Sequence, residues 1–367
     1  MSEPLVTVGV PVYGGQDTLP GLLDCLRTQS YRNLDVLISV DANDEASAAA
    51  CAETLRQDSR FRIHVQPSRL GWAGNTDWTM RNRRGAFFIY QQHDDLVSPT
   101  YVADLVAAAK RWPDAAICFS TLRYAGERGW EVPVPSISGD PVARVLSYLR
   151  RLDWVPFRGL IRGTALDRTA GLLLSDFDPF DSLGTEIRFM AELALLGTFR
   201  FVEGPTYFKT WDGGNLSAMR SHWSREHRIK ATACWAAWMI EVIAPAGDTV
   251  ADRRRLFMTT LDRFARHTGV LRWTGTILRH ETGAGVPARM IWSQLKRRPP
   301  PPGLGRLSAG ERADFVTDIA RRLEVGGRFD VRRLELSWPE LAARMHGRYG
   351  DGSRRVPETS AIQGLVL

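Results

Sequence analysis

The 367-residue sequence predicts an α/β fold, a mainly parallel sheet with helices on both faces, followed by a helical C-terminal region. Three observations carry this. Short, mostly unbroken apolar runs alternate with longer segments of helical pattern through the N-terminal half, as in sheets buried on both sides. Two of those runs end on acidic clusters. From Arg220 onward the pattern is helical and rich in arginine.

Leu5 to Tyr13 (LVTVGVPVY) is an apolar run bounded by Pro4 and the Gly14-Gly15 pair, so it reads as a buried strand closed by a turn. A helix follows from about Asp17 to Gln29, then a second strand, Leu34 to Val40, ending on DANDE. An alanine-rich helix spans Ala46 to Ser59, Phe61 to Val65 alternates as a short strand, and Gly71 to Arg83 is helical. Gly85 to Gln91 is another apolar strand, stopping at His93, Asp94 and Asp95, with a helix from Pro99 to Arg111 behind it. Further helices are expected from Pro141 to Leu152 and from Thr185 to Leu196, with strand-like pieces near Gly159, at Phe199 to Val202 and at TYFK. Arg297 to Gly305 (RRPPPPGLG) cannot continue a helix and should be a stiff linker. Ser308 to Glu311 has the form of a capping box, where a helix restarts.

At 44% apolar and 24% charged residues the chain can bury a core, which excludes disorder over most of its length. Two domains are expected, 1–219 and 220–367, the second interrupted at 297–305. The formal charge of +7 is uneven: residues 220–367 hold 26 basic and 15 acidic residues, the rest 22 and 26. Of the basic residues 44 are arginine and only four lysine, a ratio that suggests genome composition before function. Cys25, Cys51, Cys118 and Cys234 are too far apart for a CxxC metal knuckle. No export signal is evident, and Ala231 to Ile240, the longest apolar stretch, falls short of the ~20 residues a bilayer span needs. A reduced, cytoplasmic protein without a transmembrane helix is the expectation.

Parallel sheets bind ligands at the carboxyl ends of their strands. The clusters at Asp41 and at Gln92-His93-Asp94-Asp95 both fall at such ends. Asp41 could point a carboxylate at a ligand or open a helix. The second cluster could hold a divalent cation through one carboxylate and substrate phosphates, or cap the next helix. Glu186, in the first turn of its helix, suits the helix dipole whatever its role, and it stands where a base could serve an incoming hydroxyl. Trp211 to Ser217 (WDGGNLS) is either a loop closing over substrate or a surface turn. The C-terminal arginines are read as solvated helix faces, and Trp235 and Trp238 lie in a run that looks buried, so no nucleic-acid surface is expected.

In order and spacing, VTVGVPVYGGQDTLPGLLDCLRTQSY, LDVLISVDAND, PSRLGWAGNTDWTMRNRRGAFFIYQQHDDLVSPTYV and TEIRFMAELALLGTFRFVEGPTYFK resemble the family-2 glycosyltransferases, whose nucleotide-sugar domain has the GT-A fold. The resemblance covers roughly Val6 to Ser217. It implies that Pro11 and Tyr13 line the nucleotide site, that Asp41 contacts the base, and that Gly71, Asn75 and Gly85 match family positions. It puts Asp94 on a metal-binding position of the family's DXD motif and Glu186 on the catalytic position. The sequence departs from the pattern in three places: Gln92 replaces the first DXD aspartate, Thr185-Glu186 replaces Glu-Asp, and Lys209 and Trp211 stand near the usual Arg and His of the closing loop.

The resemblance implies an inverting transferase that moves a sugar from a nucleoside diphosphate to a hydroxyl or amine. Glu186 would be its general base, Asp94 would hold magnesium or manganese, and His93 or Asp95 would contact ribose, sugar or water. If no metal is recruited, arginine or lysine must supply the positive charge. Saccharide, lipid-linked and small natural-product acceptors stay open. The alternative is a non-catalytic nucleotide-sugar-binding scaffold with a basic tail. For that tail, dimerisation or acceptor binding is expected ahead of peripheral contact with the inner membrane face.

Overall fold

The computed structural model describes residues 3–124, 131–175, 184–210, 223–268 and 307–349; the loop Trp211 to Ser217 and the proline-rich break at 297–305 lie outside them. Four strands open the chain: β1 (Val6–Val12), β2 (Leu34–Val40), β3 (Phe61–Val65) and β4 (Phe87–Tyr90). They pair in parallel in the order β3-β2-β1-β4. Every residue of β1, β2 and β4 is buried, as strands covered on both faces require. Between them run α1 (Leu19–Arg27), α2 (Glu45–Ala50), α3 (Ala52–Gln57) and α4 (Gly71–Arg81). The helix expected over 46–59 is α2 plus α3, interrupted at Cys51, which keeps right-handed helical dihedrals (φ −84°, ψ −18°).

Beyond β4 short antiparallel strands join the sheet, which stays mainly parallel as expected. The chain continues through β5 (Leu96–Val97), α5 (Tyr101–Arg111), β6 (Ala115–Tyr124), β7 (Glu131–Val132), α6 (Pro141–Arg151), β8 (Leu160–Arg162), α7 (Gly163–Leu166), α8 (Thr185–Leu196) and β9 (Thr198–Lys209). The sheet order is β3-β2-β1-β4-β8-β6-β9-β5, with β7 on the side of β6. β8 is antiparallel to both β4 and β6, β5 is antiparallel to β9, and β6 and β9 are parallel. β6 has no counterpart among the sequence expectations. It opens on two alanines, weak strand formers, and burial in the middle of the sheet overrides that preference. β9 unites the pieces at Phe199–Val202 and TYFK: the register jumps from Ser120↔Val202 to Thr121↔Thr206, so 203–205 bulge out, with Gly204 at φ 110°.

Arginines finish helices in this unit. Arg144 donates to the Ala194 and Leu195 carbonyls at the end of α8 (2.7 and 2.8 Å). Arg162 donates to the Ala109 and Trp112 carbonyls at the end of α5 (2.8 and 3.2 Å) and to that of Ala115 (2.9 Å). The last carbonyls of a helix lack internal partners, and a cation there also suits the dipole.

The chain divides into two compact units, Met1–Leu216 and Ser217–Leu367. The second is helical over its described residues: Arg225–Ile243, Val250–Thr268, Ala309–Val325 and Trp338–Tyr349. Its core includes Trp235, Met239, Phe257, Phe264, Phe315 and Ile319; Trp238 is half-buried. Some of its arginines tie segments together within the unit: Arg253 donates to the Arg333 carbonyl and Arg254 to that of Leu334 (2.7 and 2.9 Å). The capping box forms, with Ser308 Oγ accepting from Glu311 N–H and Glu311 Oε2 from Ser308 N–H. Glu311 Oε1 also meets Arg225 Nε at 2.6 Å. Among the described residues no helix is long and apolar enough to cross a membrane, and all four cysteines are free thiols.

This packing carries two expected outcomes. A Cβ at Gly159 would meet the Cys118 carbonyl oxygen at 2.4 Å and Phe119 Cβ at 2.8 Å, so Gly159→Ala should lower stability by about 1–3 kcal/mol in urea denaturation. An unchanged midpoint would show that β6 and β8 can separate freely there. The hydrogen bonds from Arg225 and from Ser308 N–H pull the Glu311 carboxyl down from 4.5 to about 2. A depressed carboxylate stabilises the fold above its unfolded pKa, and that stabilisation is lost as pH falls through the folded one. Amide protection in Ala309–Val325, taken relative to the intrinsic exchange rate at each pH, should therefore fall as pH drops from 4.5 toward 2, and Glu311→Gln should lack this response.

Candidate functional site

The carboxyl ends of β1, β2 and β4 share one edge of the sheet, and the loops that leave them hold most of the residues singled out in the sequence. Pro11 is buried within β1, opposite Ser39 of β2. Tyr13 is 50% exposed, with the Arg69 guanidinium 4.5 Å over its ring, a cation–π arrangement. Gly14 N–H donates to the Asp44 carboxylate (2.7 Å) and Gly15 N–H to Ser47 Oγ (2.9 Å), so the turn after β1 is held against the start of α2.

Asp41 is buried and accepts three backbone N–H groups, from Ala42 (3.1 Å), Leu70 (2.7 Å) and Gly71 (2.8 Å). The last two belong to the N-terminus of α4, where unpaired donors need an acceptor. Gly71 itself is left-handed, at φ 69°. Asn75, one turn on, accepts from Ser39 Oγ (2.6 Å) and donates to the Ser39 carbonyl (2.9 Å). Asp41 and Asn75 therefore join the end of β2 to α4. Gly85 serves packing at the other end of β4, where a Cβ would meet Thr7 N at 2.5 Å.

After β4 the strand register decides the chemistry. Antiparallel pairing of Ile89 with Leu160 brings Arg158 level with Gln91, and pairing of Leu96 with Phe208 brings Lys209 level with Asp95. Gln92 Oε1 accepts from Arg158 Nη2 (2.7 Å) and from Lys209 Nζ (3.1 Å). Asp95 is fully buried; its Oδ2 accepts from Tyr207 Oη (2.9 Å) and pairs with Lys209 (3.3 Å), and its Oδ1 accepts from Thr210 N–H (2.9 Å). Burial pushes the Asp95 carboxyl up, against the pull of Lys209. His93 Nδ1 lies 3.0 Å from Thr18 Oγ1. Asp94 is half-buried and has no hydrogen bond or ion pair among the described residues.

Arg158 sits at the centre of this arrangement. Its guanidinium lies 4.8, 5.2 and 5.5 Å from the Tyr90, Trp154 and Phe157 ring centres. Burial opposes its charge, but Tyr90, Tyr207 and the carboxylates of Asp95 and Glu186 outweigh burial and hold its pKa above the ordinary value. Asp95 and Glu186, far apart in sequence, thus act on one guanidinium. Glu186 is half-buried in the first turn of α8, with Oε2 accepting from Gly184 N–H (2.8 Å). Thr185 Oγ1 anchors that turn by accepting from Leu173 N–H (2.7 Å). An edge contact between Phe157 and Phe189 (5.7 Å) fixes α8 beside Arg158.

For a divalent cation, Asp94 is the carboxylate still open at this strand end. Gln92 is neutral and both Asp95 oxygens are engaged. No group of three or more His, Cys, Asp or Glu side chains that could hold a metal occurs among the described residues. Sequence reasoning passes over Arg158. Its signal is an arginine inside the aromatic, apolar segment WVPFRGLIR, where a charge has to find a buried role.

Residues 7–167 match the family model described as Glycosyl transferase family 2. The chain is 30% identical over 128 residues to the putative glycosyltransferase EpsH of Bacillus subtilis, covering 35% of this chain and 36% of that protein. It is 28% identical over 100 residues to the glycosyltransferase GlyA of Streptococcus pneumoniae, covering 27% of this chain and 14% of that protein. The chain therefore spans well under two thirds of the length of these relatives. Among solved structures it resembles S. aureus TarS 1-349 in complex with UDP-GlcNAc, with a TM-score of 0.56 at 14% identity over 94% of this chain and 92% of that one. That likeness is one of fold, a GT-A sheet with a helical C-terminal region.

Asp41→Ala leaves three backbone donors without their carboxylate, two of them at the start of α4. A loss of about 3 kcal/mol is expected in chemical denaturation. Wild-type stability in this variant would mean that α4 does not depend on Asp41.

Proposed function

We propose, from the match of residues 7–167 to the glycosyl transferase family 2 model, that the protein is an inverting glycosyltransferase, moving a sugar from a nucleoside diphosphate to an acceptor hydroxyl or amine. The observation that carries this reading is the convergence on Arg158: Gln92 at the strand end accepts a hydrogen bond from this buried cation, and Phe157, its chain neighbour, packs on Phe189 of α8, the helix whose first turn holds Glu186. A donor diphosphate belongs at the strand end and an incoming nucleophile at the helix start.

In this reading Glu186 accepts the acceptor's proton as its oxygen or nitrogen attacks the anomeric carbon. Attack comes from the face opposite the departing nucleotide, so a single displacement inverts the configuration. The hydrogen bond from Gly184 N–H holds one carboxylate oxygen and leaves the other for the proton. Tyr13, half exposed, and the loops braced by Asp41 and Asp44 would line the nucleobase. Pro11, Gly71 and Asn75 would shape that slot from behind. His93 and Asp95 would position ribose and sugar, Asp95 through the Lys209 and Tyr207 contacts it already makes. Asp94 would hold magnesium or manganese together with the donor's own phosphate oxygens, a mode one carboxylate can support. Such an ion offsets charge on the leaving diphosphate when bound.

The likeness in fold to TarS, solved in complex with UDP-GlcNAc, makes UDP-sugars the first donors to test. Release of nucleoside diphosphate, with water or a saccharide as acceptor, should fall about 100-fold or more in Glu186→Gln, while calorimetry shows donor affinity unchanged. Wild-type turnover in that variant would remove Glu186 from the chemistry. A product with retained anomeric configuration by NMR would overturn the single displacement.

A further inference from the structure

Resting on the nucleotide-sugar reading above, we infer that the donor's diphosphate is received by protein cations, Arg158 and Lys209 gathered on Gln92, so that binding it requires no divalent metal. The side chain at position 92 is a neutral amide, and its carbonyl oxygen accepts from both cations, at 2.7 and 3.1 Å. A carboxylate there would pair with them and cancel charge; the amide orients them and leaves their charge in place.

The two cations are unequally compensated. Lys209 has Asp95 at 3.3 Å. Among the described residues Arg158 has no carboxylate within hydrogen-bond reach, its side chain donates to Gln92 alone, and its buried Nε–H has no partner. A buried guanidinium whose hydrogen-bond acceptor is a neutral amide, with its Nε–H unpartnered, keeps donors available for an arriving anion. Its planar donor set also matches paired phosphate oxygens. Lys209 is paired with Asp95, so Arg158 is the cation of this strand end that hydrogen-bonds no anion, and Asp94 stays open to an ion that joins the diphosphate without being needed to bring it in. A diphosphate supplies the missing anion directly.

The test is calorimetric binding of UDP, GDP, CDP and dTDP to the full chain in EDTA and again in excess manganese. The preferred diphosphate should bind in EDTA within about threefold of its affinity in manganese, and about tenfold or more weaker in Arg158→Met and in Lys209→Met, with partial recovery in Arg158→Lys. Because Arg158→Met removes a packed side chain, Gln92→Glu gives a second reading at nearly constant shape. Its carboxylate should pair with both cations, weaken the diphosphate in EDTA and make binding respond to manganese. Binding that disappears in EDTA and returns with manganese overturns the inference and leaves the transferase reading standing, as does wild-type affinity in Lys209→Met and Gln92→Glu. Absence of binding by every diphosphate in both conditions overturns both.

Discussion

Insertion of β8 between β4 and β6, antiparallel to each, is the constraint on which the site depends. Strand pairing carries backbone groups at fixed intervals, so once Ile89 faces Leu160 the residue two before Leu160 must lie beside the end of β4. That residue is Arg158. The short antiparallel pair of β5 with β9 does the same for Lys209 from the other side. Two cations thereby flank a segment that in sequence reads only as acidic, and its polarity is set by pairing more than by its own composition.

The same pairing explains why neighbouring residues of one motif differ so much. Asp95 faces inward, shielded from solvent and tied to Lys209, Tyr207 and Thr210. Asp94, one residue earlier, keeps a half-buried carboxylate without a protein partner among the described residues. A buried ion pair contributes little net stability but is costly to break, because removing one partner strands the other charge. The Asp95–Lys209 pair is best seen as a fixture that holds β5 and β9 in register beneath the open carboxylate. Asp41 plays a comparable part at the end of β2, converting orphan amides of α4 into a closed joint.

Arginine abundance also acquires physical content. Arg144 and Arg162 terminate helices whose last carbonyls would otherwise be buried without donors, and Arg158 lies in an aromatic box. A guanidinium has five donors in a plane and can serve several carbonyls at once, which the compact ammonium of lysine does less well. Several of the abundant arginines thus serve structural ends.

Local pattern was enough to read the early strands and helices: LDVLISV and FRIHV emerge as β2 and β3 with their expected limits, and TEIRFMAELALL as α8. It also placed Asp41, Asp94 and Glu186 at strand and helix ends, because turn residues and apolar runs are properties of short segments. β6 was invisible, since its alanines become strand only by burial between β8 and β9. The roles of Arg158, Lys209 and Asp95 were equally hidden. They arise from contacts between residues about 60 to 120 positions apart in the chain, and a charged side chain carries no local mark of which distant group will neutralise it. Periodicity reports which face of an element is covered; only the register of distant strands decides what charge it meets there.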